Sequence, residues 1–463
     1  MESNRLTRRD FLRMGALTAA GAALAACAPP ATPQVVKETV VVPEVVKETV
    51  VVPGEEVVVT AVPAAPEPVT LRAAMWDSVE VEPMETEILD AFYVEFPHIT
   101  VNIEFNPEAY DDKLITGLAA GNAPDVFLWW NYPKLVALGG LEDLTAYLEG
   151  PRGVDVSMYY PEVLTPARVG HGLYGLPKDF TPRAFFYSKQ LFDEAGVPYP
   201  TSDWTWDDLV ATAKQLTKGE GADAQYGFYN YTGSYPLQGY VWSNKGDFVS
   251  PDGKVASGYV DSDATVQAVE WYVNLHIEHH VSPTTMEEAT LGGATEMFMN
   301  KKLAIFDNGR WPQSQFKSVA DLDFGTVLPP KSSYTGELVT VIHQACWCMN
   351  PASRYKFDEA WELLKWEASP LAHRVRTVAG WAIPAIPAVV EELGLLNDPI
   401  DKTWFEAVPY ATVSPCYTRS AVYWQADEDL GVALEKAFLQ TLTVADALSE
   451  AAPLMDEKLG VMA

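Results

Sequence analysis

The alternation of apolar and polar residues predicts a regular succession of strands and helices from residue 69 onward. Val69–Met75 and Ile99–Phe105 have the composition of strands, and the second alternates cleanly between apolar and polar residues. Residues 82–96 and 110–120 carry apolar side chains at helical spacing, and residues 126–128 form a short apolar run typical of a buried strand. Strands and helices that alternate with short connections predict an α/β fold with largely parallel sheets flanked by helices.

Two tryptophans follow the third predicted strand, after a segment rich in turn-forming residues at 122–125. In an open α/β sheet the ligand lies beyond the carboxyl ends of the strands, so rings beside the Asn131 amide are candidates for a binding site. Alternation along a strand would send Trp129 and Trp130 to opposite sides. We therefore expect Trp130 to face the ligand and Trp129 to pack beneath it, and the alternative is that both rings belong to the core.

The charge balance limits the classes of partner. The chain has 463 residues, too many for one core, which favours two domains. Its 32 basic and 63 acidic residues give a formal charge of −31. Such a charge repels phosphate backbones and anionic lipid headgroups, so no nucleic-acid partner is expected.

Residues 1–27 have the features of an export signal. Residues 7–13, with Arg8 and Arg9, resemble a twin-arginine signal, and residues 14–26 form an apolar stretch too short to span a bilayer. Residues 24–27 resemble the lipobox of bacterial lipoproteins, in which Cys27 is acylated. We expect an extracytoplasmic protein, at the periplasmic or cell-surface face, that contacts the membrane only through this N-terminal lipid anchor.

Residues 28–68 differ in composition from the rest of the chain. A nine-residue sequence at 35–43 recurs at 45–53, and each copy ends in proline. Such a tract has β propensity but little to pack against, and its prolines interrupt ladder pairing. It is interpreted as a flexible tether, with a small β-hairpin as the alternative.

The sequence motifs give little support for a catalytic site, a metal site or a cofactor site. Residues 170–175 match the spelling Gly-x-Gly-x-x-Gly, but Pro177 excludes the helix that a dinucleotide site needs, so a hairpin turn is predicted. His276 and His280 could share a helix face, but no third metal ligand is evident. No P-loop or nucleophile elbow occurs in the sequence. We therefore expect no cofactor, no metal and no catalytic residue.

The cysteines beyond the signal leave two alternatives open. Cys346 and Cys348 point to the same face of a strand and are too close for a strain-free bridge in an extended segment. A bridge from one of them to Cys416 is feasible in an oxidising exterior. Packed free thiols are the equal alternative.

The chain concentrates tryptophan beside small polar residues at predicted strand ends and loops. A sugar ring has apolar C–H faces and a rim of hydroxyls, so aromatic platforms edged by carboxylates, amides and guanidiniums suit a neutral saccharide. The candidate stacking residues are Trp76, Trp129, Trp130, Trp242, Trp311 and Trp381. The candidate hydrogen-bonding residues are Asp77, Asn131, Asp179, Asn308 and Arg310. About half of these rings should belong to the core.

Several segments resemble, in order, those of the bacterial extracellular solute-binding proteins, and more narrowly the sugar-binding branch that includes maltose-binding protein. The segments are Trp76–Asp77 and residues 118–126, 172–177, 185–196, 204–209, 304–311 and 360–366. The resemblance extends from Val69 to the end of the chain. It implies a monomer with two α/β lobes, a ligand cleft between them, and delivery of the ligand to the permease subunits of an ABC importer.

The resemblance also places the passages of the chain between lobes. They are expected near residues 179–184, 343–350 and 406–412. Lobe one would then comprise residues 69–180 and 350–405, and lobe two residues 181–349 and 406–463. Asp179 lies at the first passage, which favours it as a ligand contact, although a solvated hinge carboxylate is the alternative.

The sequence therefore predicts a tethered carbohydrate-binding protein whose ligand, an oligosaccharide, is captured between two lobes. Two other hypotheses remain: an exported glycoside hydrolase that acts on polysaccharide, and a binding protein for a peptide or another charged solute. The hydrolase hypothesis gains nothing from the number of acidic residues, because carboxylate pairs could be assembled almost anywhere in so acidic a chain.

Overall fold

A computed structural model describes residues 66–381 and 383–460. The predicted signal at 1–27 and the tether up to residue 65 lie outside the described residues. The described part contains two mixed β-sheets and a small hairpin, surrounded by helices. None of its helices is long and apolar enough to cross a membrane.

The first sheet has five strands in the order β2-β1-β3-β11-β6. Their bounds are β1 Val69–Met75, β2 Ile99–Phe105, β3 Val126–Trp129, β6 Leu176–Pro182 and β11 Ile342–Met349. β1 pairs in parallel with β2 and β3, as the alternation of strands and helices predicts. β11 lies antiparallel between β3 and β6.

The second sheet has four strands in the order β10-β7-β9-β8. Their bounds are β7 Ala184–Ser188, β8 Tyr226–Tyr229, β9 Leu303–Asn308 and β10 Phe324–Val327. Only β8 and β9 are parallel. The remaining strands, β4 Arg168–Val169 and β5 Gly172–Leu173, form the hairpin predicted at residues 170–175, with Gly170 at a φ of 60° in its turn.

The two-lobed α/β architecture is confirmed, but the sheets are mixed rather than mainly parallel. Parallel neighbours arise when a helix returns the chain to the same end of the same sheet. β11 reaches the first sheet from β10 of the second, so no such crossover fixes its direction. The prediction of parallel sheets holds only where strand and helix alternate locally.

The chain passes from the first sheet to the second at Arg183, the single residue between β6 and β7. It returns before Ile342, because all of β11 pairs within the first sheet. This return precedes the expected passage at 343–350 and the lobe boundary drawn at 350. The turn-forming residues that accompany it lie upstream of β11, at Pro329 and Pro330. The other lobe boundaries remain predictions.

Helices flank both sheets. Their bounds are α1 Glu82–Glu95, α2 Tyr110–Ala119, α3 Tyr132–Ala137, α4 Pro161–Leu164, α5 Lys189–Ala195, α6 Trp206–Leu216, α7 Ser234–Ser243, α8 Asp263–Ile277, α9 Thr285–Leu291, α10 Ala294–Met299, α11 Gln313–Ser318, α12 Glu359–Glu367, α13 Pro370–Val378, α14 Pro387–Glu392, α15 Pro399–Ala407, α16 Tyr423–Phe438 and α17 Val444–Gly460. On α1 the predicted apolar face is confirmed, since Ile88, Leu89 and Phe92 are buried and Phe96, just beyond it, is partly buried.

A buried ion triad joins α1 to α12 and α13. The Arg376 guanidinium donates to both carboxylate oxygens of Glu85, at 3.0 and 2.8 Å, and also to the carboxylate of Glu367. All three side chains are excluded from solvent. Burial raises the pKa of Glu367 against the opposing effect of Arg376, and the neighbouring charge of Glu85 adds to the rise.

Replacing Arg376 should destabilise the fold strongly. In Arg376→Met two buried carboxylates lose their counter-charge, which should lower the free energy of unfolding by about 3–5 kcal/mol. Chemical denaturation of the purified protein measures the loss. Arg374→Met, on the same helix, is the matched control, because the Arg374–Glu392 pair is solvent-exposed and should contribute less than about 1 kcal/mol. Equal effects of the two substitutions would contradict the assignment.

Candidate functional site

A cavity of about 510 Å³ lies where the carboxyl end of β1, strands β6 and β11, and helices α7 and α16 come together. This volume is within the range of roughly 300–1,000 Å³ that small-molecule sites occupy. Its aromatic lining residues are Trp76, Trp130, Phe180, Tyr235, Trp311, Trp381, Tyr417 and Trp424. Its polar lining residues are Asp77, Lys178, Asp179, Thr181, Arg310, His343 and Gln344.

Seven of the eleven predicted ligand-binding residues line this cavity. They are Trp76, Asp77, Trp130, Asp179, Arg310, Trp311 and Trp381. They come from five separate stretches of sequence that the fold brings together. Trp76 and Asp77 follow β1, Trp130 follows β3, Asp179 belongs to β6, and the others follow β9 or α13.

The other four predicted residues lie outside the lining. Trp129 is fully buried at the end of β3, where its indole N–H donates to the carbonyl oxygen of Asn131. The Asn131 side chain caps α3 by accepting from the Lys134 N–H, and the Asn308 side chain accepts from the Gly309 N–H at 2.9 Å. Trp242 lies on α7 and donates to Asp247 at 3.0 Å. Each of these four side chains forms a hydrogen bond with a nearby residue and does not line the cavity.

Local sequence patterns do not mark eight polar or aromatic lining residues as ligand contacts: Lys178, Phe180, Thr181, Tyr235, His343, Gln344, Tyr417 and Trp424. Tyr235 and Trp424 lie on helices, where no strand end marks them. His343 and Gln344 lie on β11, and no local sequence pattern predicts that this strand belongs to the first sheet. Their one sequence signal is proximity to an expected passage between lobes.

Lys178 forms two ion pairs at the base of the cavity. Its Nζ lies 3.2 Å from an oxygen of Asp77 and 3.2 Å from an oxygen of Asp179. Burial alone would lower the pKa of Lys178, but the carboxylates of Asp179 and Asp77 outweigh burial and raise it. The ammonium is therefore charged at every physiological pH.

Arg310, the second basic residue of the lining, also has a carboxylate partner. Its guanidinium lies 2.9 Å from Asp401, and its backbone N–H donates to the Thr181 hydroxyl at 2.9 Å. Burial opposes ionisation of Asp401, yet Arg310, Gln313 and Lys317 together hold the pKa of Asp401 below its usual value. The pair is therefore ionised and held in place.

An aromatic wall closes one side of the cavity. Trp130 meets the rings of Tyr417 and Trp424 edge to face, with centroids 5.2 and 5.4 Å away. The Tyr235 hydroxyl is 3.0 Å from Nδ1 of His343. Burial, followed by the charge of Arg183, lowers the pKa of His343 well below its usual value, so its imidazole is neutral at neutral pH.

Trp311 and Trp381 are the most exposed rings of the lining, at 48% and 50% of their surfaces. Trp311 can lie against the backbone because residue 309 is glycine. A Cβ built at Gly309 would collide with the Trp311 ring and come within 2.7 Å of Thr181 Cγ2. This packing fixes the Trp311 ring at the mouth of the cavity.

Of the two alternatives for the cysteines, a disulfide bridge or free thiols, the structure has free thiols. Cys346, Cys348 and Cys416 are all buried and unbridged. Cys346 and Cys348 lie in the core beneath the first sheet, whereas Cys416 packs in a separate apolar cluster with residues of the second. Within residues 66–381 and 383–460, no cluster of three His, Cys, Asp or Glu side chains is placed to hold a metal, and that includes His276 and His280.

Two α/β lobes with an aromatic, charge-paired cavity define a solute-binding protein of the type that encloses its ligand in a cleft. The sequence model of the bacterial extracellular solute-binding proteins matches residues 77–370, more than half of the chain. The chain belongs to this family.

Two curated relatives support the assignment. A Brucella abortus protein described as a binding protein is 25% identical over 296 residues, 62% of this chain and 69% of that one. The maltotriose-binding protein of Pyrococcus abyssi is 21% identical over 381 residues, 76% of this chain and 75% of that protein.

A solved structure shows the same fold. The ABC substrate-binding protein of Listeria monocytogenes in complex with cycloalternan superposes with a TM-score of 0.74 at 22% identity. The match covers 85% of this chain and all of that one.

Gly309→Ala should displace the Trp311 ring, because the added methyl group has no room. The expected result is altered tryptophan fluorescence and a loss of about 1–3 kcal/mol in unfolding free energy. The spectral change should disappear in a Trp311→Phe background. Gly233→Ala is the matched control, since a Cβ there meets no atom within 4 Å and the φ is −84°. A wild-type spectrum for Gly309→Ala would contradict the predicted packing.

Proposed function

We propose that the protein captures a neutral carbohydrate, an oligosaccharide, in the cavity between its lobes and delivers it to an ABC importer. The observation that carries the proposal is the composition of the lining. Five of the fourteen tryptophans of the chain surround one cavity, together with side chains that can hydrogen-bond to hydroxyl groups. Rings bind the C–H faces of a sugar and polar groups bind its rim.

The charges of the lining favour a neutral ligand. Two carboxylates, Asp77 and Asp179, accompany two cations, Lys178 and Arg310, and His343 is neutral. Both cations are already paired with carboxylates. An anionic solute would have to compete with those carboxylates for them, which argues against an acidic peptide or another anionic ligand.

The relatives support a saccharide. The name of the Pyrococcus protein gives maltotriose as its ligand, and the Listeria structure contains cycloalternan. We propose the same ligand class for this chain on the strength of its own lining. The half-exposed rings of Trp311 and Trp381 at the mouth of the cavity leave room for a ligand longer than one sugar unit.

Transport follows from closure of the two lobes. Ligand contacts with both lobes would shift an open and closed equilibrium toward the closed form, which the importer recognises. We propose that the protein acts as a monomer, binds without catalysis, and is held outside the cytoplasm by acylated Cys27. The passage at Arg183 and the return before Ile342 are the candidate hinges.

Binding without turnover is the first expected result. Isothermal titration of residues 66–463 with maltotriose, cellotriose, mannotriose and xylotriose should give saturable binding of at least one, since each offers C–H faces and hydroxyl donors. Chromatography of the same mixtures should show no new reducing ends. Product release would favour the hydrolase, and failure of every neutral sugar would overturn the proposal.

Trp311→Ala should weaken binding of that sugar roughly 5- to 30-fold, equivalent to about 1–2 kcal/mol for one stacked ring. The exposed position of Trp311 means that the substitution should leave the fold intact. Tyr334→Ala is the matched control, because Tyr334 is similarly exposed, at 54%, and lies outside the cavity lining. Titration calorimetry gives both affinities. Equal affinities would show that the ring does not contact the ligand.

A further inference from the structure

We propose that Lys178 is a positioning residue that holds Asp77 and Asp179 as a paired acceptor for two ligand hydroxyls, and that this pair excludes sugars with a carboxylate at that position. The inference rests on the proposed carbohydrate function and specifies the class of sugar. It concerns the three side chains at the base of the cavity, which we call the Lys178 clamp.

The clamp joins strands that are not neighbours. Asp77 follows β1 and Asp179 belongs to β6, and in the first sheet β3 and β11 separate these two strands. Lys178 lies 3.2 Å from both carboxylates and is almost completely buried, with 6% of its side chain exposed. Lys178 and Asp179 lie in β6 and Asp77 directly follows β1, so strands of one sheet position the pair of carboxylates before the lobes close. A preformed acceptor pair binds with little ordering cost.

One oxygen of each carboxylate remains for a ligand. Within the described part of the chain, the side-chain hydrogen bonds of Asp77 and Asp179 run through their Oδ2 atoms to Lys178. Their exposed fractions, 14% and 25%, exceed that of the lysine. An ionised carboxylate accepts hydrogen bonds and donates none, so these oxygens require donors. Sugar hydroxyls supply them.

The charge of the clamp decides which sugars fit. Two carboxylates and one ammonium leave a net charge of −1 in a partly desolvated site. Glu85 and Arg376 act on Lys178 from the buried triad behind it, with opposite signs. A ligand carboxylate placed here would face two like charges, which should weaken its binding by a factor of about 100 or more. An amino sugar should gain less affinity than the net charge of −1 suggests, because the Lys178 ammonium already occupies the position between the carboxylates.

The test compares a neutral trisaccharide with its C6-oxidised counterpart, in which the primary alcohols are carboxylates. The neutral probe is whichever of the hexose trisaccharides maltotriose, cellotriose and mannotriose binds most tightly, since each carries primary alcohols at C6. We expect the wild-type protein to prefer the neutral form by a factor of about 100 or more. In Asp77→Asn/Asp179→Asn, which keeps Lys178, neutral binding should weaken roughly tenfold or more and the preference should shrink to about tenfold or less.

Lys178 itself is tested by the pH profile of neutral-sugar affinity. Without the ammonium the two carboxylates repel each other, and one should keep its proton to a higher pH. In Lys178→Met the affinity should therefore fall more steeply as the pH is lowered than it does in the wild type and in Lys178→Arg. A merely structural role would lower affinity equally at every pH. Lys331→Met is the control, because it also removes a lysine from an ion pair, but the partner carboxylate, Asp203, is exposed to solvent.

Two results would overturn the inference while leaving the carbohydrate function intact. They are equal wild-type affinity for the neutral and oxidised sugars, and an unchanged preference in the double asparagine variant. Circular dichroism confirms that each variant is folded, and if Lys178→Met does not fold, the double variant decides. Failure of every neutral trisaccharide to bind the wild type would instead overturn the proposed function, and this inference with it.

Discussion

The insertion of β11 between β3 and β6 is the constraint on which the cavity depends. Its antiparallel register sets Cys346 opposite Trp129 and Ala345 opposite Asp179. One end of the strand thus brings His343 and Gln344 beside the carboxylate of β6, and the other end anchors the strand that precedes Trp130. Because β11 arrives from the second sheet, the same pairing ties the two lobes together. Loss of this register would separate the aromatic residues of the cavity lining from the charged ones.

Charge burial in the first sheet is the second organising feature. The triad of Glu85, Arg376 and Glu367 fixes α1 against α12 and α13, and the Lys178 clamp lies next to it. Both arrangements place more carboxylates than cations inside the protein. Such sites are tolerated only when geometry is fixed by hydrogen bonds, since an unpaired buried charge is costly. Ion pairs therefore hold the base of the cavity, whereas Trp311 and Trp381 at its mouth are exposed.

Family membership and the chemistry of the lining supply separate parts of the functional assignment. The family match establishes a solute-binding protein without specifying the solute. The lining adds five indole rings and balanced, paired charges, which favour a neutral ligand with apolar faces and many hydroxyl groups. These rings and charges all belong to this chain, so the preference for such a ligand does not depend on what the relatives bind.

Local sequence determined the strands β1 to β3, the helices between them, the apolar face of α1 and the hairpin at Gly170, because each depends on periodicity or turn chemistry within a few residues. It also marked six residues of the cavity, since tryptophan beside a small polar residue at a strand end or loop is a local pattern. Asp179 was predicted from the passage between lobes that the family resemblance places there. Alternation along β3 predicted that Trp130 rather than Trp129 faces the ligand, whereas tertiary structure alone decided that Trp242 is buried away from the cavity. It also decided the direction of β11, the free state of the cysteines and the recruitment of Lys178, Tyr235, His343 and Trp424, because these depend on pairing between segments far apart in the chain.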